Sequence, residues 1–284
     1  MNVDWSKLPR ILIPTFKHRS NSIIDYVRNW DNVIIVTDQE DYDENYKDFP
    51  KEKTWIVPKE CRSQYAKRKL ITEKYKEWFF MIDDDVCNYG KVFNFYTNKL
   101  EKVPLEEVLV EWFNYAKENN LYVTSPGVNI TTGHFNAKQK KLSMHNSSLN
   151  GAFLIKGDEV KSEWWTLDRS IAEDCYFTYN CLKNDVDTRR INYLTLMFNN
   201  MGLGKSLTIN DKLLKYKLIV DTFLACKGYY VMKMTKAGPL TKYDGKTHFE
   251  LYDKVAKLKL HFPNDYYTRV FQDANNNDMD KFLQ

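Results

Sequence analysis

Three consecutive aspartates, Asp83, Asp84 and Asp85, interrupt the apolar run WFFMI in the stretch WFFMIDDDV at residues 78–86. Adjacent carboxylates repel one another, and at the mouth of a buried strand that repulsion is costly unless a cation sits among them. In an extended segment alternate residues share a face, which puts Asp83 and Asp85 on one side and Asp84 on the other. A carboxylate pair at that spacing suits a hard divalent cation such as magnesium or manganese, which keeps few protein ligands and shares the rest with substrate phosphates and water. The bland alternative is a solvated acidic turn. Position favours the metal, because open α/β sheets bind their ligands at the carboxyl ends of their strands.

The elements that must position these acids are legible as apolar runs. RILIP (10–14), NVIIVTD (32–38), KTWIVP (53–58) and WFFMID (78–83) read as buried strands. SNSIIDYVRNW (20–30) reads as a helix with Ile23, Ile24, Val27 and Trp30 on one face, and RSQYAKRKLITEKYKEW (62–78) as a charged helix. The order strand, helix, strand, strand, helix, strand predicts an α/β fold with a mostly parallel, Rossmann-type sheet flanked by helices. Further on, PLEEVLVEWFNYAKENN (104–120) is a helix with Pro104 and early glutamates suited to its first turn. LYVTSPG (121–127) and GAFLIKG (151–157) read as strands, SIAEDCYFTYNCLKND (170–185) as a helix, and GHFNAKQKKLSMHNSS (133–148) as a polar, basic loop. Beyond residue 190 the pattern loses definition. The expected organisation is a core over 1–200, with a donor half near 10–100 and an acceptor half near 120–200, and an extension over 201–284.

The order of motifs resembles the nucleotide-sugar glycosyltransferases of the GT-A fold. The carriers are ILIPTFKHR (11–19), VIIVTD (33–38), AKRKL (66–70), the Asp83-x-Asp85 pair, LNGAFLI (149–155) and Glu173-Asp174. The resemblance covers about residues 10–185. It implies a nucleotide-sugar donor, UDP-linked by expectation, met by Pro14, Thr15, Lys17, Arg19, Asp38, Arg68, Asp83 and Asp84. It implies a manganese or magnesium ion on Asp83 and Asp85, with His248 or His261 completing its shell. It also implies an inverting mechanism with Asp174 as the base, Glu173 as the alternative, and Asn150 and Gly151 near the acceptor. Without the resemblance, Glu173-Asp174 reads as acidic residues opening a helix, and a lone histidine as structural.

The IPTFKHR and IDDD segments also look like those of the TET-associated glycosyltransferases, which include base-J-type and phage enzymes that glycosylate hydroxymethylated pyrimidines in DNA. A DNA acceptor needs phosphate contacts, for which Lys138, Lys140 and Lys141, with Lys156, Lys161, Arg189 and Arg190, are the candidates. Trp164 and Trp165 are candidates to stack on an extruded base, against core packing as the default for such a pair. The formal charge of +4, from 42 basic and 38 acidic residues, neither demands nor excludes nucleic acid. Rival readings are a glycosyltransferase acting on a glycan, lipid-linked sugar or protein, and a metal-dependent nuclease; a sugar nucleotidyltransferase lacks its glycine-rich signature. MGLGKSLT (201–208) is no phosphate-binding loop, because Asn199 stands where the first glycine is required. Five cysteines without a C-x-x-C pair, no signal-like start and no apolar run of about 20 residues suggest a soluble protein of a reducing compartment, the cytoplasm, with no membrane partner.

Overall fold

The computed structural model describes residues 5–15, 23–128, 149, 151–165, 173–198, 230–232 and 258–260. Nine strands form one sheet: β1 (Arg10–Pro14), β2 (Val33–Asp38), β3 (Thr54–Val57), β4 (Trp78–Ile82), β5 (Val86–Asn94), β6 (Lys99–Pro104), β7 (Val123–Val128), β8 (Ala152–Lys156) and β9 (Thr188–Phe198). Their spatial order is β3-β2-β1-β4-β8-β7-β9-β5-β6. A separate pair, β10 (Tyr230–Met232) and β11 (Leu258–Leu260), is antiparallel. The helices are α1 (Ile24–Val27), α2 (Gln39–Asp41), α3 (Gln64–Lys74), α4 (Leu105–Glu118) and α5 (Glu173–Lys183).

The sheet is buried on both faces, which is why its central strands read as continuous apolar runs. Ile11, Ile13, Phe80 and Ile82 join one core cluster with α4 residues Leu109 and Trp112. Leu12, Phe79 and Met81 point the other way and pack with Ile71 of α3 and Phe177 of α5. Successive residues of β1 and β4 thus serve opposite cores, as strand pleating requires.

The expectation of a mostly parallel sheet needs correction. The block β3-β2-β1-β4 is parallel, and so is β7 with β9. β8 runs antiparallel to β4 and β7, and β5 antiparallel to β6 and β9. The physical reason is the connection after β4. Instead of a crossover helix, the chain makes a tight turn, with the Val86 N–H donating to the Asp83 carbonyl at 3.3 Å, and enters the β5–β6 hairpin. Of the helix expected over 20–30, the described part is α1, Ile24–Val27, which ends early because the Trp30 N–H turns back onto the Val27 carbonyl at 2.9 Å. Its apolar face is nonetheless in the core, with Ile23, Ile24 and Val27 at most 3% exposed.

Candidate functional site

The carboxyl ends of β1, β2 and β4 meet the N-terminal half of α3. Ser63 caps this helix by accepting the Ala66 N–H. Residues 64, 67, 68 and 71 recur at the spacing of one helix face. Ile71 fills the core, and the three polar positions before it each bind a strand end. Gln64 Nε2 donates to the Pro14 carbonyl at 3.3 Å and to Asp83 Oδ1 at 3.0 Å. Lys67 Nζ donates to the Thr15 carbonyl at 2.6 Å and to Asp38 Oδ2 at 3.4 Å. Arg68 donates to Asp83 Oδ1 at 2.6 Å and to Glu173 Oε1, the first residue of α5, at 3.0 Å.

Arg68 is 3% exposed, and its guanidinium stands 5.1 Å from the Phe153 ring centroid and 5.5 Å from that of Trp165. These rings fix its plane and exclude water, which strengthens its ion pairs. One guanidinium faces two carboxylates, so the cluster keeps excess negative charge. Glu173 registers it: burial pushes its carboxyl up, Arg68 pulls it down, and Asp174 and Asp83 push it up again, to about 7. Arg68 itself is held protonated against its burial by Asp83 and Glu173.

The turn also sorts the three aspartates. Asp84 is buried at 3% exposure, whereas Asp83 and Asp85 are half-buried. The expected division of faces thus appears, produced by the turn after Ile82 rather than by strand alternation. The two side-chain donors to Asp83 among the described residues, Gln64 and Arg68, address the same oxygen, Oδ1. Oδ2 receives no hydrogen bond from the described residues. It lies beside Gly151, 3.7 Å from where a Cβ on that glycine would stand. The Asp83 N–H donates to the Gly151 carbonyl at 3.0 Å, extending the β4–β8 ladder. Gly151 has φ +65°, and a Cβ there would meet the Phe198 ring at 2.8 Å, so both conformation and space require glycine. An oxygen-only, net negative donor set fits a hard divalent cation held through Asp83 Oδ2 and Asp85. Among the described residues no group of three or more His, Cys, Asp or Glu side chains is arranged to hold a metal, so these two would leave much of the shell to substrate and water.

Asp38 is 4% exposed and caps α2, with its Oδ1 accepting the Asp41 N–H at 3.2 Å. Burial raises its carboxyl, but the Asp41 N–H, Lys67 and Arg62 outweigh that and hold it below the usual range. The ammonium of Lys67, with no exposed side-chain area, is lowered by burial, with Asp38 and Asp41 opposing. As placed, Pro14, Thr15 and Asp38 anchor α3. Trp165 is fully buried, stacked on Phe177 at 3.9 Å, with its indole N–H donating to Thr72; Trp164 is 8% exposed. Core packing accounts for both, and neither offers a ring face to an acceptor base. Lys17, Arg19, Lys138, Lys140, Lys141, Asn150, His248 and His261 lie outside the described residues.

Gln64, Lys67 and Asp41 were not singled out in the sequence. The signal for Gln64 and Lys67 was the 64, 67, 68, 71 spacing in SQYAKRKLI, where polar residues occupy positions that the apolar Ile71 marks as inward; Asp41 had none. Gln64→Leu removes a bond that orients Asp83 but leaves Arg68 in place. If Asp83 holds a divalent cation, the substitution should weaken manganese binding about tenfold, as loss of a ligand-orienting hydrogen bond does, measured by calorimetry; unchanged affinity would detach Gln64 from that role.

No protein-family model matches the chain, and no curated protein matches it. None of the described helices is long and apolar enough to cross a membrane.

Proposed function

We propose that the protein is a metal-dependent, inverting glycosyltransferase that moves a sugar from a nucleoside-diphosphate sugar, UDP-linked by expectation, to a hydroxyl acceptor. The supporting observation is the convergence of Asp83, Arg68 and Glu173, which are up to 105 residues apart in sequence, at the carboxyl edge of the parallel strands. There a net negative cluster keeps one aspartate oxygen beside Gly151 without a hydrogen-bond donor among the described residues. A divalent cation on Asp83 and Asp85 would supply neutralisation of the charge that builds on the diphosphate leaving group. Arg68 holds Asp83 and Glu173 in one rigid unit. Asp174, beside Glu173 on the first turn of α5, would take the proton of the acceptor hydroxyl as its oxygen bonds to the anomeric carbon and the bond to the diphosphate breaks on the opposite face. The fold reading that accompanies this is GT-A-like, supported by the parallel block β3-β2-β1-β4 with its acidic edge.

The acceptor we propose is the hydroxymethyl group of a modified pyrimidine in DNA, on the resemblance of ILIPTFKHR and IDDD. Among the described candidates, Lys156 is paired with Asp158 and Glu159, and Arg189 with Asp187, so backbone contacts would fall to Lys138, Lys140 and Lys141 with Lys161 and Arg190. The test is a panel of nucleotide-sugars with manganese, offered hydroxymethylated duplex, unmodified duplex or soluble glycans, reading released nucleotide and DNA mass. Sugar mass on hydroxymethylated DNA supports the full reading. Transfer to a glycan alone keeps the transferase and removes the DNA acceptor. Strand cleavage without nucleotide-sugar consumption replaces both with a metal nuclease. Asp85→Ala should abolish transfer in a folded protein, with Asp83→Ala nearly as severe, and EDTA should silence the wild type until manganese or magnesium is restored. Full activity in EDTA would remove the metal from the mechanism.

A further inference from the structure

The sheet face opposite α3 and α5 carries an open cavity of about 660 Å³ between α4, the β5–β6 hairpin and β9. Four glutamates line it, Glu101, Glu107, Glu111 and Glu118, and no lysine, arginine or histidine among the described residues does. None of the four makes an ion pair with a described residue, and Glu101 accepts hydrogen bonds from Asn94 at 2.9 Å and Thr97 at 3.0 Å. Three lie along one side of α4 at positions 107, 111 and 118, rising about 6 Å and then about 10.5 Å along the axis. Glu107 and Glu111 are a like-charge pair one turn apart, which weakens a helix. Glu118 ends α4, where the helix dipole is already negative. Among the described residues no basic side chain lines the groove to offset this stripe, which therefore stands at a cost.

The other lining is aromatic. Tyr115 meets Tyr193 edge-on at 5.3 Å, and Phe95 lies 6.0 Å from Tyr193. Phe95 is 45% exposed and Tyr96 fully exposed. The Tyr193 hydroxyl donates to Glu111 at 2.6 Å, which fixes that carboxylate against the ring. Carboxylates spaced along a groove with aromatic faces between them complement a chain of ammonium groups joined by apolar stems: the charges pair at the glutamates, and the methylenes and cation–π contacts use the rings. An inorganic cation would satisfy the charge and leave the rings unused.

We propose that this groove binds a linear alkyl polyamine, independently of the aspartate site on the other side of the sheet. The probe is spermidine, titrated calorimetrically into the full-length protein at low salt, with the uncharged 1,6-hexanediol and magnesium as comparisons. Saturable binding of one spermidine, none of hexanediol and no displacement by magnesium at matched charge is the expected result. Glu107→Gln with Glu118→Gln should weaken it about fivefold or more, from the loss of two exposed ion pairs. Tyr115→Leu should weaken it about threefold, from the loss of a cation–π face. Asp85→Ala should leave it unchanged. If the double variant does not fold, Glu118→Gln alone, on the exposed last turn of α4, reads the same contact with about a twofold loss. Absence of binding, displacement by magnesium at matched charge, or binding that survives the glutamate variants and is lost in Asp85→Ala would each overturn the proposal.

Discussion

Arg68→Met should lower the unfolding free energy by about 3 kcal/mol, the scale for removing one partner of a buried charge cluster. The loss comes less from the missing attraction than from what remains. Asp83 and Glu173, with side chains 23% and 16% exposed, would face each other across an apolar box of Phe153 and Trp165 with no cation between them. Methionine keeps much of the volume, so packing is a smaller part of the effect. The same logic predicts a strong coupling. Glu173→Gln in the Arg68→Met background removes one of the two stranded carboxylates and should recover part of the loss, so the double variant falls short of the sum of the singles by about 1 kcal/mol or more. Denaturant unfolding of the four proteins measures this. Strict additivity would mean that Glu173 reaches water in the absence of Arg68, and that the cluster is looser than its 2.6 Å and 3.0 Å contacts imply. Since Asp83 is oriented by Arg68, nucleotide-sugar turnover should be lost in both Arg68 variants.

That cluster shows which parts of the molecule the sequence made visible. The strands around it were legible because they are buried on both faces, and a run such as RILIP or WFFMI has few other ways to exist. The aspartates stood out because three adjacent acids after such a run repel one another. The arginine that meets them was found through the resemblance in AKRKL, fifteen residues before Asp83. The rest was hidden for identifiable reasons. Gln64 and Lys67 occupy inward helix positions that composition assigns to water, and their partners there, the strand-end carbonyls of Pro14 and Thr15 and the carboxylates of Asp83 and Asp38, are visible only in the fold. The β5–β6 hairpin lacks a strong signal because it buries so little: β6 (KLEKVP) has no buried position and β5 (VCNYGKVFN) only Val86, Gly90 and Phe93, so neither an apolar run nor a strict alternation marks it. The direction of β8 was invisible, since an apolar run says nothing about which way the chain travels through the sheet; AFLIK reads the same parallel or antiparallel. Trp164 and Trp165 were ambiguous for a related reason, a tryptophan pair being equally suited to a ligand and to a core, and Phe177 stacked on Trp165 settles their place as packing.

Asp174→Asn should reduce turnover by roughly 100-fold or more, the scale for a positioned general base, while donor affinity is retained. Glu173→Gln should have a different signature, and the pair separates their roles. Glu173 is bound to Arg68 at 3.0 Å, so its carboxylate shapes the position of Arg68 and, through it, Asp83. Its replacement should raise the apparent donor KM along with a smaller drop in turnover. Stability gives a second readout. The Glu173 carboxyl is raised from 4.5 to about 7, chiefly by burial. An acid with a raised pKa in the folded state favours folding in its protonated form, so the stabilisation is fully present below about 4.5 and declines as pH rises through about 7. Denaturation midpoints measured without metal should therefore fall across that window in the wild type and stay flatter in Glu173→Gln. A divalent cation should reduce the decline, because it offsets the negative charge of Asp83 and Asp174 that contributes to the shift. Should Glu173→Gln, rather than Asp174→Asn, give the larger loss of turnover at unchanged donor affinity, the base is Glu173, and its neighbour on the first turn of α5 serves the helix dipole alone.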